Sequence, residues 1–162
     1  MEIKVTVTKD NVAGFERALK SLTKKRVLVG IPDSTASRPD EDGSPLSNAQ
    51  IGYIQEFGSP AANIPARPHL IPGVENARKP IANRMGAAAR KIVDGATDIE
   101  QDLVAVGLIA QSSVRNQIRT GSLLPLSERT LQARRARGRF GTLPLIDTSQ
   151  YLRAITYVIR KT

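Results

Sequence analysis

The side chains with most chemical reach lie in one run near the C-terminal end, RTLQARRARGRFG, which carries Arg129, Arg134, Arg135, Arg137 and Arg139. All five are arginine and none is lysine. Guanidinium forks are planar and match phosphate oxygens two at a time. The run holds no helix-turn-helix, zinc-finger or RNA-binding signature. Aromatic residues make up 4% of the chain, so there are few rings for bases to stack on. Contact with nucleic acid would therefore run through the phosphate backbone alone, without sequence preference and with strong salt dependence. A mobile arm or a salt-bridging surface within an assembly uses the same residues, and the run alone leaves both readings open.

The rest of the inventory for catalysis is thin. The one histidine, His69, stands between Pro68 and Leu70, the setting of a surface or packing residue. Cysteine is absent, which removes disulfides, thiolate ligands and thiol nucleophiles together and fits a reducing compartment. The acids are scattered except for Asp40, Glu41 and Asp42, where DEDG resembles the start of a calcium loop. Its oxygen ligands do not continue and no glutamate closes it. Neither GxGxxG nor GxxxxGK[ST] occurs. No base stands beside a nucleophile in any recognisable pattern. The expectation is a protein that is no enzyme and holds no cofactor or metal.

The charge is unevenly placed. The formal net charge is +9 and the isoelectric point about 10.4. Residues 1–110 hold 14 Lys and Arg against 13 Asp and Glu, a net +1; residues 111–162 hold 10 against the two acids Glu128 and Asp147, a net +8. Such asymmetry fits a face turned to a polyanion or to acidic neighbours. The N-terminus, MEIKVTVTKD, lacks the apolar stretch of a signal peptide. The longest apolar run, LVAVGLIA over 103–110, is far short of the roughly 20 residues that span a bilayer. A soluble chain without membrane contact is expected.

The elements that must position these side chains follow from period and punctuation. At 162 residues the chain has the length of one ordinary domain, about 100–200 residues, and no repeat or internal boundary divides it. Ile3, Val5 and Val7 alternate with polar residues as in a half-buried strand, and Asp10 can cap a helix over 11–23. KRVLVGI, residues 25–31, predicts a second strand, apolar enough to be central. Residues 32–46 predict a mobile loop by their prolines and polar filler. Ser47 or Asn48 can cap a helix over 49–57 that Gly58 ends in left-handed geometry. Pro72 suits the first turn of a helix whose apolar rhythm runs from Val74 to Ile92, and Pro80 should kink or split it. TDIE, residues 97–100, reads as a capping box for a helix over 98–119 with Ile99, Leu103, Val106, Ala110, Val114 and Ile118 in one stripe. Residues 127–143 predict an Arg-rich loop or arm with a helical turn or two from Ser127. A turn at 147–149 and a final strand with Ile155, Tyr157 and Ile159 on one face close the chain. The sum is α+β: a small, mostly antiparallel sheet with two or three amphipathic helices on one face and long flexible loops.

Two segments resemble a known family. IGYIQEFGSPAANIPARPHLIPGV and LPLSERTLQARRARGRFGTLPLIDTSQYLRAITYVI are similar, in this order and spacing, to the paired elements of tailed-bacteriophage neck and tail-completion proteins of the virion-morphogenesis group. The matching positions are Glu56, Phe57, Gly58, Pro65, Arg67 and Pro68, then Thr130, Pro144, Leu145, Asp147, Thr148, Leu152 and Tyr157. Ser149 departs from the pattern, which usually has glycine there. The resemblance covers about residues 47–160. It implies a structural virion protein, assembled in the host bacterial cytoplasm, that forms a ring, commonly six-fold, at the head–tail junction. Its partners would be copies of itself, the head connector and the tail tube or terminator, with DNA passing through the lumen past the five arginines. A tail terminator capping the tube, or a free non-specific DNA-binding protein, are the alternatives.

Within the first segment the residues suggest a rigid elbow. Phe57 would pin the end of its helix to the core. Pro65 and Pro68 hold the following link extended, and Arg67, just before a proline, is biased to extended geometry. Arg67 would then project, with Glu56 of this subunit or the next as its natural ion-pair partner, and Arg67→Ala would leave the monomer folded while weakening assembly.

Overall fold

The computed structural model of the chain describes residues 12–36, 46–96 and 98–162. The expected strand over 3–8, the Asp10 cap, Thr97 of the capping box and most of the expected 32–46 loop lie outside the described residues.

The sheet is built from the first and last described strands. β1 (Lys25–Gly30) pairs antiparallel with β2 (Thr156–Lys161), Lys25 opposite Lys161 and Gly30 opposite Thr156. Alternation sends Val27 and Val29 toward the helices, with Ile159 and Tyr157 as their cross-strand partners. Two strands cannot hide their apolar face alone, so the helices must cover it. Among the described residues these are α1 (Val12–Thr23), the short α2 (Asp33–Ala36), α3 (Asn48–Phe57), α4 (Leu70–Asn76), α5 (Arg78–Val93), α6 (Glu100–Thr120), α7 (Glu128–Ala136) and α8 (Gln150–Ala154). The α+β class expected from the pattern is the one observed.

α6 is the central beam, lying against both strands and against α4 and α5. Its buried residues Leu103, Val106, Ala110, Val114 and Ile118 are the expected stripe. Two glycines permit the close approaches. A Cβ on Gly107 would stand 2.2 Å from the Tyr157 ring, and one on Gly73 of α4 would stand 2.6 Å from the Cα of Val114. The helix begins at Glu100 rather than 98, and the expected capping glutamate is engaged elsewhere. Glu100 pairs with Lys25, while the Asp98 carboxylate accepts from the Glu100 amide at 2.9 Å.

The expected break at Pro80 is a split. α4 stops at Asn76, Ala77 bridges, and α5 starts at Arg78, so Pro80 falls in a first turn where its missing N–H has no partner to lose. α5 holds its place on α6 partly through charge. Asp102, 2% exposed, forms an ion pair with Arg84 at 2.9 Å and accepts from Lys91 at 3.0 Å. One buried cluster gathers Val114, Ile118, Tyr151, Leu152 and Ile155; the other gathers Ala88, Ile92, Ile99 and Leu103.

Candidate functional site: a cleft where two distant segments meet

α3 forms where Ser47 and Gln50 cap each other reciprocally, the Gln50 amide reaching the Ser47 hydroxyl at 3.2 Å and the Ser47 amide the Gln50 carbonyl oxygen at 2.8 Å. Its inward face carries Gly52 and Glu56, one turn apart. Its outward face carries Tyr53 and Phe57, whose rings lie 5.0 Å apart and which are 67% and 59% exposed. Phe57 therefore does not pin this helix to the core. Gly52 and Glu56 hold the buried side, because the Tyr151 hydroxyl would lie 3.0 Å from any Cβ at Gly52 and leaves no room for more. Gly58 has φ 79° and ψ 173°, outside the left-handed helical region and confined in practice to glycine. A Cβ there would stand 3.0 Å from the Ala66 amide nitrogen.

The expected Glu56–Arg67 pair does not form within the chain. Glu56 turns to the N-terminus of α4, accepting from the amides of His69 and Leu70 at 2.8 Å each and of Ile71 at 2.9 Å. Three unpaired amides at the positive end of a helix offer a carboxylate more than one exposed guanidinium can. His69 is fully buried, the packing role expected of it. Its Nδ1 lies 2.8 Å from the Arg67 carbonyl oxygen and its Nε2 2.5 Å from the Tyr151 hydroxyl. A carbonyl only accepts, so Nδ1 carries the proton and Nε2 accepts from Tyr151. Burial holds the His69 pKa below its ordinary value, against the opposing pull of the Arg67 carbonyl and of Glu56. Burial, then the charge of Glu56, push the Tyr151 pKa well up.

Arg67 does not project. It is 7% exposed. Its Nε donates to the Leu124 carbonyl at 2.7 Å, one terminal nitrogen to the Pro125 carbonyl at 3.0 Å and the other to the Gln55 side-chain oxygen at 3.3 Å. The link between Pro65 and Pro68 is neither helix nor strand, and the Arg67 side chain on it reaches inward to the chain leaving α6. Burial lowers the pKa of Arg67, and no carboxylate among the described residues lies within ion-pair distance of it.

The second segment is more ordered than an arm. Ser127 caps α7 by accepting from the Thr130 amide at 3.3 Å, so residues 128–136 of the expected loop are helix. Arg134 is the keystone of the loop after this helix. At 7% exposure, one of its terminal nitrogens lies 2.9–3.0 Å from the carbonyl oxygens of Gly141, Leu143 and Ile146. That removes Arg134 from the set available to DNA. Asp147 accepts from Arg139 at 2.7 Å and lies 3.6 Å from Arg134 Nε. Arg135 pairs with Glu128 at 3.2 Å, and Arg137 donates to the Ala133 carbonyl at 3.1 Å. Arg129, Arg135 and Arg137 keep exposed positions on or beside α7. Pro144 is buried and Leu145 packs on the core, while Thr148 lends its carbonyl to Arg153 at 3.4 Å.

The two segments face each other across a cleft of about 760 Å³. Gln55, Pro65 and Arg67 line one side, Asp147, Thr148 and Tyr151 another, and the 124–127 link the third. Glu56, Phe57, Gly58, Pro68 and Pro144 are not in the lining. The described residues with positive φ other than glycine are Asn63 (52°), Leu145 (61°) and Ser149 (61°), and all three line this cleft. Left-handed geometry is uncommon for any of them and an outlier for leucine, and such strain collects where structure is held for use. Ser149, with φ 61° and ψ 5°, stands where the family pattern usually has glycine, and the turn needs the geometry that glycine supplies most readily. Gln55, Leu124, Pro125 and Tyr151 were not singled out from sequence. Two of them act through backbone carbonyls, which carry no side-chain signal.

Among the described residues no group of acids and histidine could hold a metal, and no helix is long and apolar enough to cross a membrane. Comparison of the chain with protein-family models, curated proteins and solved structures returns no match.

Proposed function

We propose that this chain is a structural virion protein of a tailed bacteriophage, a subunit of the ring that joins the head connector to the tail tube and lets DNA pass. The observation that carries this reading is the meeting of the two family-like segments, far apart in sequence, across one strained cleft. Resemblance confined to separate surface stretches would give no reason for them to fold onto each other. The exposed Tyr53 and Phe57 beside that region supply an apolar surface of the kind a subunit contact uses. A ring of identical subunits needs a heterologous interface that closes, with two different faces of the chain in contact. Copies of the chain, the connector and the tail tube are the partners, and the chain works without catalysis.

The arginine run fits a lumen that tolerates DNA rather than grips it. Arg134 serves its own loop, and Arg135 and Arg139 meet acids. The deciding experiment deletes this chain from a phage that carries it and images the particles. Unjoined heads and tails, restored by supplying the protein, are expected; normal joining in its absence refutes the proposal.

A further inference from the structure

Arg67 is an anomaly: a buried cation with no acid beside it among the described residues. A guanidinium has five N–H groups. Three are engaged, by Leu124, Pro125 and Gln55, which leaves one on each terminal nitrogen. The bond to Gln55 is the longest of the three, at 3.3 Å, and Gln55 is a neutral side chain that can be displaced. A buried charge is held at a cost unless it is paired, and every acceptor Arg67 has is neutral. Asp102, also buried, shows the opposite solution in the same chain, with two cations on one carboxylate.

From this geometry we infer that the cleft docks an extended acidic segment of a partner protein, one carboxylate of which completes the fork of Arg67. The surroundings choose the chemistry. Ile51, Ile64, Leu124, Pro125 and Leu145 make most of the walls apolar, as suits a peptide's flanking side chains. Asp147 in the same lining is already paired with Arg139, and Arg67 is only 7% exposed, so a single carboxylate on a slender chain reaches its fork while the phosphates of a stiff duplex do not. The cleft lies in the basic part of the chain: residues 111–162, which supply most of its lining, hold 10 Lys and Arg against two acids, so an acidic partner segment is drawn to it. This inference rests on reading the cleft as an assembly surface, and needs no assignment to a virion.

The test uses the full chain, isotope-labelled, with acetyl-Leu-Pro-Glu-Leu-amide as probe and its Gln isostere as control. Saturable amide shifts at Gln55, Arg67, Leu124 and Tyr151 are expected with the Glu peptide. Binding should weaken about tenfold or more with the Gln peptide, since charge-assisted bonds are roughly twice as strong as neutral ones. Arg67→Gln should abolish the difference between the peptides, with thermal melting to confirm its fold. Leu126→Trp, which leaves Arg67 in place but fills the cleft from its rim, should block both. Equal binding of the two peptides, or none at millimolar concentration, overturns the inference. So does a short DNA duplex that shifts the same resonances, or cleft shifts that depend on protein concentration without peptide, which would put a polyanion or a second copy there. Failure of the particle experiment would leave these outcomes unchanged, so the two readings fail separately.

Discussion

Replacing Glu56 tests how the elbow is held. The carboxylate takes three amides at the start of α4, and the His69 amide among them is fully buried. An orphaned buried donor costs about 1–3 kcal/mol. Taking the middle of that range for His69 and the low end for the part-buried Leu70 and Ile71 puts Glu56→Ala at about 3–5 kcal/mol. Glu56→Gln is milder. Its one carbonyl oxygen can stand where Oε2 does and keep His69 and Leu70 as neutral bonds, but its amide then faces the Ile71 N–H, donor against donor. A loss of about 1.5–2.5 kcal/mol follows. For a chain of this size that is a melting temperature lower by about 3–10 °C for Gln and more for Ala, measured by calorimetry. Because domains are stable by only about 5–15 kcal/mol, Glu56→Ala should approach the limit of folding. Native-state hydrogen exchange should quicken first at Leu70 and Ile71. If Glu56→Gln melts within about 2 °C of the parent, or Ala and Gln melt alike, the capping argument is wrong.

Three further outcomes are expected. Gly107→Ala should destabilise by about 1–3 kcal/mol or more, since its Cβ would lie 2.2 Å from the Tyr157 ring and Tyr157 is fixed in β2; an unchanged urea midpoint would refute the close packing. Ser149→Gly should raise stability by about 0.5–1 kcal/mol, because relief of left-handed strain exceeds the added freedom of the unfolded chain; a loss of stability would mean the serine makes a contact that matters more. His69 is buried in its neutral form with its pKa lowered. Its contribution should be fully present above the unfolded value of about 6.5 and should be lost as pH falls through the lowered folded value, so the urea midpoint should drop as pH falls below about 6.5. The imidazole resonances should titrate below about 6.5, and titration at or above that value would overturn the assignment.

The repeating devices of this fold were legible because each is local. The apolar stripe of α6 from Leu103 to Ile118 is visible at helical spacing, the split before Pro80 follows from one missing N–H, and Ser47, one of the two caps the sequence offers, starts α3. Period also gave β2 its inward Tyr157 and Ile159. Where sequence and structure part, two local features compete for one partner. Phe57 and Glu56 are adjacent, and only the face that meets Tyr151 decides which is buried. The polar expectation is reversed as well: glutamate lies inside and the aromatic outside, because an uncapped helix end waits for the former.

What the sequence determined by itself was the α+β class and, to within two residues, the bounds of α1, α3 and α6. The tertiary structure alone decided the fate of the charges. Arg67 and Arg134 look like every other arginine in the chain, yet both are buried, held by carbonyl oxygens of residues up to 58 positions away. Every residue has such an oxygen, so its type says nothing about whether it is left unpaired by a helix end or a tight loop. Only the folded path of the backbone leaves those oxygens unpaired and sets a guanidinium against them.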